Sequence, residues 1–186
     1  MKADEYLRSV TVGEIESLNS TIHLSPYDPC WSSQFLWLST QIRDALSEKV
    51  LLLEHVGSTS VPGLCAKPII DMVLAVPDST NESSYIPPLE EKGFVVRTRE
   101  PEWFEHRMLK TPRFDGNLHV FSVECEEIDR MIAFRDWLRL HEEDRRLYED
   151  AKRKLAACTW KYVQNYADAK SEVIKEIFAR TLVFRQ

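Results

Sequence analysis

The chain has 186 residues, of which 44% are hydrophobic and 29% are charged, and this composition excludes a wholly disordered protein. A chain of this length can bury a sizeable core, so we predict a single globular domain over residues 1–186. The net charge of -6 argues against a nucleic-acid groove as the main surface, so nucleic acid is not the partner that we expect.

The cysteines and the N-terminus indicate the compartment. Four cysteines lie far apart and form no C-x-x-C pair, which is typical of free thiols in a reducing environment. The first ten residues are charged and lack the apolar run of a signal peptide. No stretch approaches the roughly 20 apolar residues that a membrane span needs. We therefore predict a cytoplasmic protein without a membrane segment.

The first third of the chain contains one clear helix. Residues 1–22 mix charged and small apolar side chains and are predicted to form an irregular arm, ending in a short edge strand near residues 21–24. Asp28 followed by Pro29 is typical of a helix N-terminus. Apolar side chains then recur at helical spacing, at Trp31, Phe35, Leu38, Ile42 and Leu46. We expect this helix to pack on a sheet.

The middle of the chain favours strands. Residues 50–56 and 69–76 are short, apolar and rich in branched side chains, as in strands that are covered on both faces. A helix is predicted over residues 84–92, with Pro87 and Pro88 in or before its first turn and Gly93 after its end. Three further strands, arranged as an antiparallel meander, are predicted over residues 94–98, 103–110 and 117–124.

The C-terminal part, residues 127–186, has the pattern of helices. One helix follows Glu126, a second is predicted over residues 142–156, and a third over residues 162–184. Strands and helices thus separate along the chain, which predicts an α+β domain with a mixed sheet and packed helices.

The turn between the first two strands carries the strongest chemical signal. It reads Gly57, Ser58, Thr59 and Ser60, and Lys67 follows nearby. Glycine lets the backbone approach a ligand, and hydroxyls beside main-chain N–H groups bind phosphate oxygens. Asp71 on the second strand is then placed to carry Mg²⁺ to the same phosphates. The same composition also occurs in ordinary turns, so on these residues alone the two interpretations are equally favoured.

Several segments of the chain together resemble the GrpB family. The matching segments are residues 26–31, 54–64, 67–71, 117–121 and 134–136, together with Tyr148, Lys152, Tyr166 and Lys170. The resemblance implies a nucleotidyltransferase-like mixed sheet with packed helices and a C-terminal helical part. It also suggests the free-standing form of a domain that occurs fused to dephospho-coenzyme A kinase.

The resemblance implies transfer of a nucleotidyl group from a nucleoside triphosphate to a small acceptor. The broad pattern pairs Gly-Ser with Asp-x-Asp or Asp-x-Glu, and the carboxylates hold Mg²⁺. Gly57, Ser58 and Asp71 match this pattern, but Val73 stands where the second acid belongs. Two replacement ligands are candidates: Glu54, on the strand that leads into the turn, and Glu124, at the end of the strand that carries His119. The alternatives are a hydrogen-bonded strand-end carboxylate for Glu54 and an ordinary exposed acid, which is favoured, for Glu124.

Four more residues are candidates for the site. Strand alternation places Asn117, His119 and Phe121 on one face, so His119 is a candidate base for activating a hydroxyl or amine. From the helical part, the resemblance adds candidate phosphate ligands at Arg135, Lys152 and Lys170.

Three functions remain open from the sequence. The first is an Mg²⁺-dependent nucleotidyltransferase. The second is a binding module for a nucleotide or another phosphate-bearing small molecule, in which catalysis was lost with the second acid. The third is a structural or interaction protein in which the motif only shapes a turn.

Overall fold

A computed structural model describes residues 2–15 and 17–183 of the chain. Within this part of the chain the strands are Leu52–Val56 (β1), Ile70–Val76 (β2), Val95–Glu100 (β3), His106–Lys110 (β4) and Gly116–Ser122 (β5). The helices are Lys2–Val10 (α1), Cys30–Leu46 (α2), Ile86–Glu91 (α3), Glu126–Leu140 (α4), Glu142–Ala156 (α5), Val163–Ala169 (α6) and Ser171–Val183 (α7).

The five strands form one mixed sheet in the order β1-β2-β5-β4-β3. β2 and β5 run parallel at its centre, and all other neighbours are antiparallel. The meander of β3, β4 and β5 and the α+β class with a mixed sheet are therefore confirmed. The parallel pairing brings the start of β5 beside the start of β2.

Both faces of the central strands are buried, as their apolar sequences predict. On one face α2 and α3 pack on alternate residues of β2 and β5, including Met72, Leu74 and Leu118, all fully buried. On the opposite face α4 packs through Ile128 on Val73 and its neighbours. Burial of this apolar surface is the main favourable free-energy contribution to the fold.

The C-terminal helices lie over the segment that follows β1. Val61 and Leu64 of that segment form a buried cluster with Leu138 of α4, Tyr148 of α5 and Ile177 of α7. This cluster holds three helices against the turn at residues 57–60, and so determines what surrounds that turn.

The N-terminal segment differs from the prediction. Residues 2–10 form a helix, α1, and not an irregular arm. After it, Thr11 forms a bridge with Thr98 and Val12 donates a hydrogen bond to the carbonyl of Arg97, so the segment covers the outer edge of β3. Ala3, Tyr6, Leu7 and Val10 recur at helical spacing in this segment, a short amphipathic pattern that the sequence reasoning missed.

Two strand predictions are also corrected. No strand forms at residues 21–24, where only isolated bridges at Ser20 and Ser25 flank the segment. Residues 103–105 form a turn before β4, because Phe104 and Glu105 adopt positive φ values of 54° and 50°.

The predicted helix over residues 162–184 is two helices that meet at Lys170, and residue 184 lies outside the described residues. No glycine or proline marks this break, so the sequence pattern does not show it. At other helix ends the predictions are confirmed: the Asp28 carboxylate accepts a hydrogen bond from the Cys30 N–H at 2.8 Å, and Gly93 follows α3 with φ 87°.

No helix among the described residues has the length and apolar character to cross a membrane. The four cysteines are unpaired in the structure, as their spacing predicts.

Candidate functional site

The turn after β1 lies directly beside Asp71 because of the sheet register. Val56, the last residue of β1, pairs with Asp71 near the start of β2, and Asp71 pairs in turn with Asn117 of β5. The Asn117 amide donates a hydrogen bond to Asp71 Oδ1 at 2.8 Å. The carboxylate is thereby fixed at the end of β1 where Gly57 begins the turn.

Gly57 is required at this place for two reasons. Its φ of +68° is a conformation that L side chains rarely adopt. A Cβ at this position would also lie 2.7 Å from Asp71 Oδ2, well inside van der Waals contact. The glycine of the predicted phosphate turn thus makes room for the Asp71 carboxylate.

The hydroxyls of Thr59 and Ser60 are used inside the protein. Thr59 Oγ1 donates to the carbonyl of Ile69 at 2.9 Å, so its only proton is committed and it accepts from His55 Nε2–H at 3.0 Å. Ser60 donates to the carbonyl of Gly57 at 2.6 Å. Both side chains are buried. A phosphate could therefore accept a hydrogen bond from either hydroxyl only by replacing one of these internal hydrogen bonds.

A cavity of about 190 Å³ lies between the sheet and the C-terminal helices. Its polar lining, besides the backbone of Gly57, consists of Ser58, Asp71, His119, Arg130, Arg135, Tyr148 and Lys170. Its apolar lining consists of Val56, Met131, Phe134, Leu138 and Ile174. The predicted site residues Glu54, Thr59, Ser60, Lys67 and Lys152 do not line it.

Lys170 enters this cavity from the break between α6 and α7. Among the described residues its ammonium group has no hydrogen-bond acceptor or salt-bridge partner, and it lies 4.8 Å from the centre of the Tyr166 ring. Burial lowers the pKa of Lys170, while the negative charges of Asp71 and Asp168 oppose this effect. A partly desolvated cation of this kind is a favourable contact for an anion.

The charges of three lysines act on Asp71. Burial raises the pKa of Asp71, and the Asn117 hydrogen bond and the charges of Lys170, Lys110 and Lys67 oppose that rise. Lys67, outside the cavity lining, is half-buried, and burial lowers its pKa. These lysines place the positive potential of the site around Asp71.

His119 faces Asp71 across the cavity, as strand alternation predicts. Its Nε2 lies 4.0 Å from Asp71 Oδ1, and its neighbours Leu118 and Val120 are buried on the opposite face. Burial lowers the pKa of His119 to about 3, with smaller effects of His106 and Lys110. The ring is therefore neutral at pH 7 and a weak base, and its predicted role as a general base is untested.

His106 is a neighbour of the site that the sequence reasoning missed. Its Nε2 lies 3.0 Å from His119 Nδ1, and the two rings stack at 5.2 Å between centroids. Its Nδ1 lies 2.7 Å from Glu100 Oε2. Alternation along β4 and β5 places His106 on the same face as His119, which was the available signal.

The two arginines of the cavity already have partners. Arg135 donates to Glu54 Oε2 at 2.6 Å, to the carbonyl of His55 at 2.8 Å and to Asp136 at 2.8 Å. Arg130, which the sequence reasoning missed, donates to both oxygens of Glu127 at 2.6 Å. A ligand would share these guanidinium groups with protein carboxylates.

Lys152 lies deeper than the cavity. It is 2% exposed and donates to the carbonyl of Cys65, joining α5 to the segment after β1. Burial lowers its pKa to about 7. The predicted phosphate contact of Lys152 would require the side chain to leave this position.

The side chains present do not fit an Mg²⁺ ion held by protein alone. Among the described residues no group of three or more histidines, cysteines or acids has a geometry for binding a metal. Glu54, the predicted second ligand, is paired with Arg135, and Val73 occupies the place of the second acid. A single carboxylate is a weak Mg²⁺ site without substrate phosphates. The metal role of Asp71 and Glu54 stays a prediction.

Comparisons with known proteins agree with the resemblance found in the sequence. A family profile described as GrpB protein matches residues 21–180. The UPF0157 protein BH1888 of Halalkalibacterium halodurans is 55% identical over 179 residues, 96% of this chain and 92% of that protein. The crystal structure of conserved protein GrpB from Enterococcus faecalis has a TM-score of 0.66 and 27% identity, and the match covers 84% of this chain and 99% of that one.

A more distant match is a dephospho-CoA kinase of Mycolicibacterium paratuberculosis. It is 30% identical over 76 residues, which is 39% of this chain and 19% of the kinase. The match thus links the chain to a minor part of a nucleotide-related enzyme.

Proposed function

The chain belongs to the GrpB family, and we propose that its cavity binds a small phosphate-bearing molecule without a protein-held metal ion. The observation that carries this proposal is Lys170. It lines the cavity, is partly desolvated, and has no hydrogen-bond or ion-pair partner within residues 2–15 and 17–183. A phosphate oxygen is a strong acceptor that would compensate this ammonium group.

The neighbouring groups support a phosphate beside Lys170. Ser58 and Tyr148 line the same cavity. Burial raises the pKa of Tyr148 to about 12, and a hydrogen bond with the Ser58 hydroxyl opposes part of that rise. Both are therefore neutral hydrogen-bond donors at pH 7. The apolar side chains of α4 and α7 offer contacts for the carbon part of the ligand.

The size of the cavity favours a small ligand. Its 190 Å³ is below the range of about 300–1,000 Å³ that is typical of pockets for drug-sized ligands. A phosphate ester of a few carbons, or the phosphate end of a larger molecule, suits this space better than a whole nucleoside triphosphate.

Calorimetric titration with sn-glycerol 3-phosphate tests the proposal. Lys170→Met keeps the length and apolar stem of the side chain but removes its charge, and we expect affinity to fall by at least about tenfold. Lys175→Met is the matched control, because Lys175 lies on the adjoining helix α7 with a 74% exposed side chain, outside the cavity lining, and should leave affinity unchanged. Equal affinities of the two variants would contradict the proposal.

The second candidate is Mg²⁺-dependent nucleotidyl transfer, which the Gly57–Asp71 contact and the match to dephospho-CoA kinase support. In that case Asp71, with Glu54 as second acid, would bind Mg²⁺ together with the substrate phosphates. Nucleotide affinity should then rise with Mg²⁺, and Asp71→Asn should abolish the rise. We expect Mg²⁺-independent binding instead, because the donor set does not fit a protein-held ion.

A further inference from the structure

Four polar residues form a row across the sheet, one on each of four neighbouring strands. Glu100 of β3 pairs with His106 of β4, and His119 of β5 pairs with Val73, two residues after Asp71 on β2. Met108 pairs with His119, so alternation along β4 puts His106 on the same face of the sheet as His119. Glu100, His106, His119 and Asp71 therefore all lie on the face that α4 covers. The row begins at the outer strand and ends in the cavity.

The direction of the hydrogen bonds in this row depends on the tautomers of its two histidines. Glu100 Oε1 accepts from the Tyr6 hydroxyl, and Glu100 Oε2 accepts from His106 Nδ1–H at 2.7 Å. In a neutral His106 ring, Nε2 is then the acceptor, and it receives the proton of His119 Nδ1–H at 3.0 Å. The remaining nitrogen of His119, Nε2, carries a lone pair that faces Asp71.

The distance between His119 and Asp71 agrees with this direction. Nε2 and Asp71 Oδ1 are 4.0 Å apart, too far for a hydrogen bond and as expected for two acceptors that repel each other. If His119 carried its proton on Nε2, Asp71 would be the natural acceptor and the two atoms would be expected near 2.8 Å, as Asn117 and Asp71 are.

We propose that Glu100 and His106 are positioning residues that hold His119 as the Nδ1–H tautomer, so that His119 Nε2 and Asp71 form a pair of acceptors for donor groups on the bound phosphate ester. The ligand half of this inference rests on the proposed phosphate-binding function. The tautomer half depends only on the row of side chains.

The pair of acceptors restricts the ligand class. A molecule that satisfies both needs two N–H or O–H protons close together, as vicinal hydroxyls or an amine provide. Lys170, Lys110 and Lys67 already act on Asp71 with positive charge, which disfavours a further ammonium group there. The structure therefore favours a phosphate ester with vicinal hydroxyls over one with an amine.

The tautomer is measured directly by long-range ¹H–¹⁵N correlation spectra of the histidine rings in the full-length protein. We expect His119 as Nδ1–H, while His55, which donates from Nε2 to Thr59, serves as an internal reference for the opposite tautomer. In His106→Phe the acceptor is lost and His119 should move toward Nε2–H. His23→Gln, at an exposed histidine, is the control and should change nothing.

A proton on Nε2 of His119 in the parent protein overturns the tautomer assignment, whether or not any variant folds. An Nδ1–H tautomer that persists unchanged in a folded His106→Phe variant overturns the role of His106.

Three phosphate esters test the ligand class: sn-glycerol 3-phosphate with two hydroxyls, phosphoethanolamine with an amine, and n-propyl phosphate with neither. We expect sn-glycerol 3-phosphate to bind about tenfold more tightly than n-propyl phosphate, and Glu100→Gln or His106→Phe to reduce this ratio toward one. A ratio near one in the parent protein overturns the acceptor pair, and tighter binding of phosphoethanolamine overturns the preference for hydroxyls.

The two proposals fail in different ways. If none of the three esters binds, the proposed function and the ligand half of this inference are contradicted together, and the spectra still decide the tautomer half. If all three bind equally and Lys170→Met weakens all of them, the phosphate site stands and the acceptor pair is wrong.

Discussion

Single residues around Asp71 fall into two groups, those that bond to each other and those left for a ligand. Thr59, Ser60 and Arg135 have strong internal partners. Ser58 and Lys170 line the cavity; within the described part of the chain, the Ser58 hydroxyl interacts only with the Tyr148 hydroxyl, which lines the same cavity, and Lys170 has no hydrogen-bond or ion-pair partner. Since breaking an internal hydrogen bond costs about as much as a new one to the ligand gains, the second group should determine affinity.

Gly57 gives a prediction about stability at this scale. Gly57→Ala should lower the free energy of unfolding by about 3 kcal/mol, because it combines strain at positive φ with a clash against Asp71. Gly63→Ala separates the two effects, since Gly63 has a φ of +80° but no atom within 4 Å of an added Cβ, and should cost about 1 kcal/mol. Urea unfolding of both variants measures the difference. Equal losses would mean that the contact with Asp71 carries no cost.

His55 gives a prediction about pH. Burial lowers its pKa to about 4 from an ordinary 6.5, so the unfolded chain binds more protons than the folded protein between these values. Stability from this residue is complete above pH 6.5 and is lost as the pH falls toward 4, with a slope of up to about 1.4 kcal/mol per pH unit.

The matching measurement is urea unfolding at pH 7 and pH 5. His55→Gln should be less stable at pH 7, because the ring stacks on Phe35 at 4.9 Å, but its stability should decline less on acidification than that of the parent protein. His23→Gln, at an exposed site, should retain the parent dependence. An unchanged slope in His55→Gln would show that His55 is not the titrating group.

At the scale of elements, the contact of α4 with β1 depends on Arg135. Its guanidinium satisfies the carbonyl of His55 on this outer strand and pairs with Glu54. The helix therefore closes the edge of the sheet next to the cavity as well as covering its face.

Arg135→Met should lower the free energy of unfolding by about 2 kcal/mol, because a buried carbonyl loses its donor and Glu54 loses its partner. Arg146→Met is the control, since Arg146 forms an exposed pair with Glu142 and should change stability by less than about 0.5 kcal/mol. Affinity of the folded Arg135→Met variant for sn-glycerol 3-phosphate should fall less than that of Lys170→Met. A fall as large as that of Lys170→Met would make Arg135 a phosphate ligand.

Over the whole molecule, the sequence predicted the features that depend on residues close to each other in the chain. Apolar runs and alternation predicted β1, β2 and the meander, and they placed His119 on the face of Asp71. The resemblance to the GrpB family predicted the mixed sheet. The structure adds what depends on distant partners, such as the row from Glu100 to His119 and the use of the Thr59 hydroxyl by His55 and Ile69.

The break at Lys170 and the helix α1 escaped prediction for a different physical reason. No glycine or proline marks either feature, and the amphipathic pattern of α1 lies in a helix of only nine residues, so packing determines the structure in both places. The consequence for the site is large, because the break brings Lys170 into the cavity, whereas α1 brings Tyr6 to the outer end of the polar row.

The most direct test of the phosphate-binding proposal is a crystal structure of the protein soaked with sn-glycerol 3-phosphate in the absence of divalent metal. We predict that the phosphate lies within hydrogen-bond distance of Lys170 Nζ and Ser58 Oγ, with the hydroxyls toward His119 Nε2 and Asp71. Phosphate density elsewhere on the protein, with the cavity free of ligand at saturating concentration, would contradict the account.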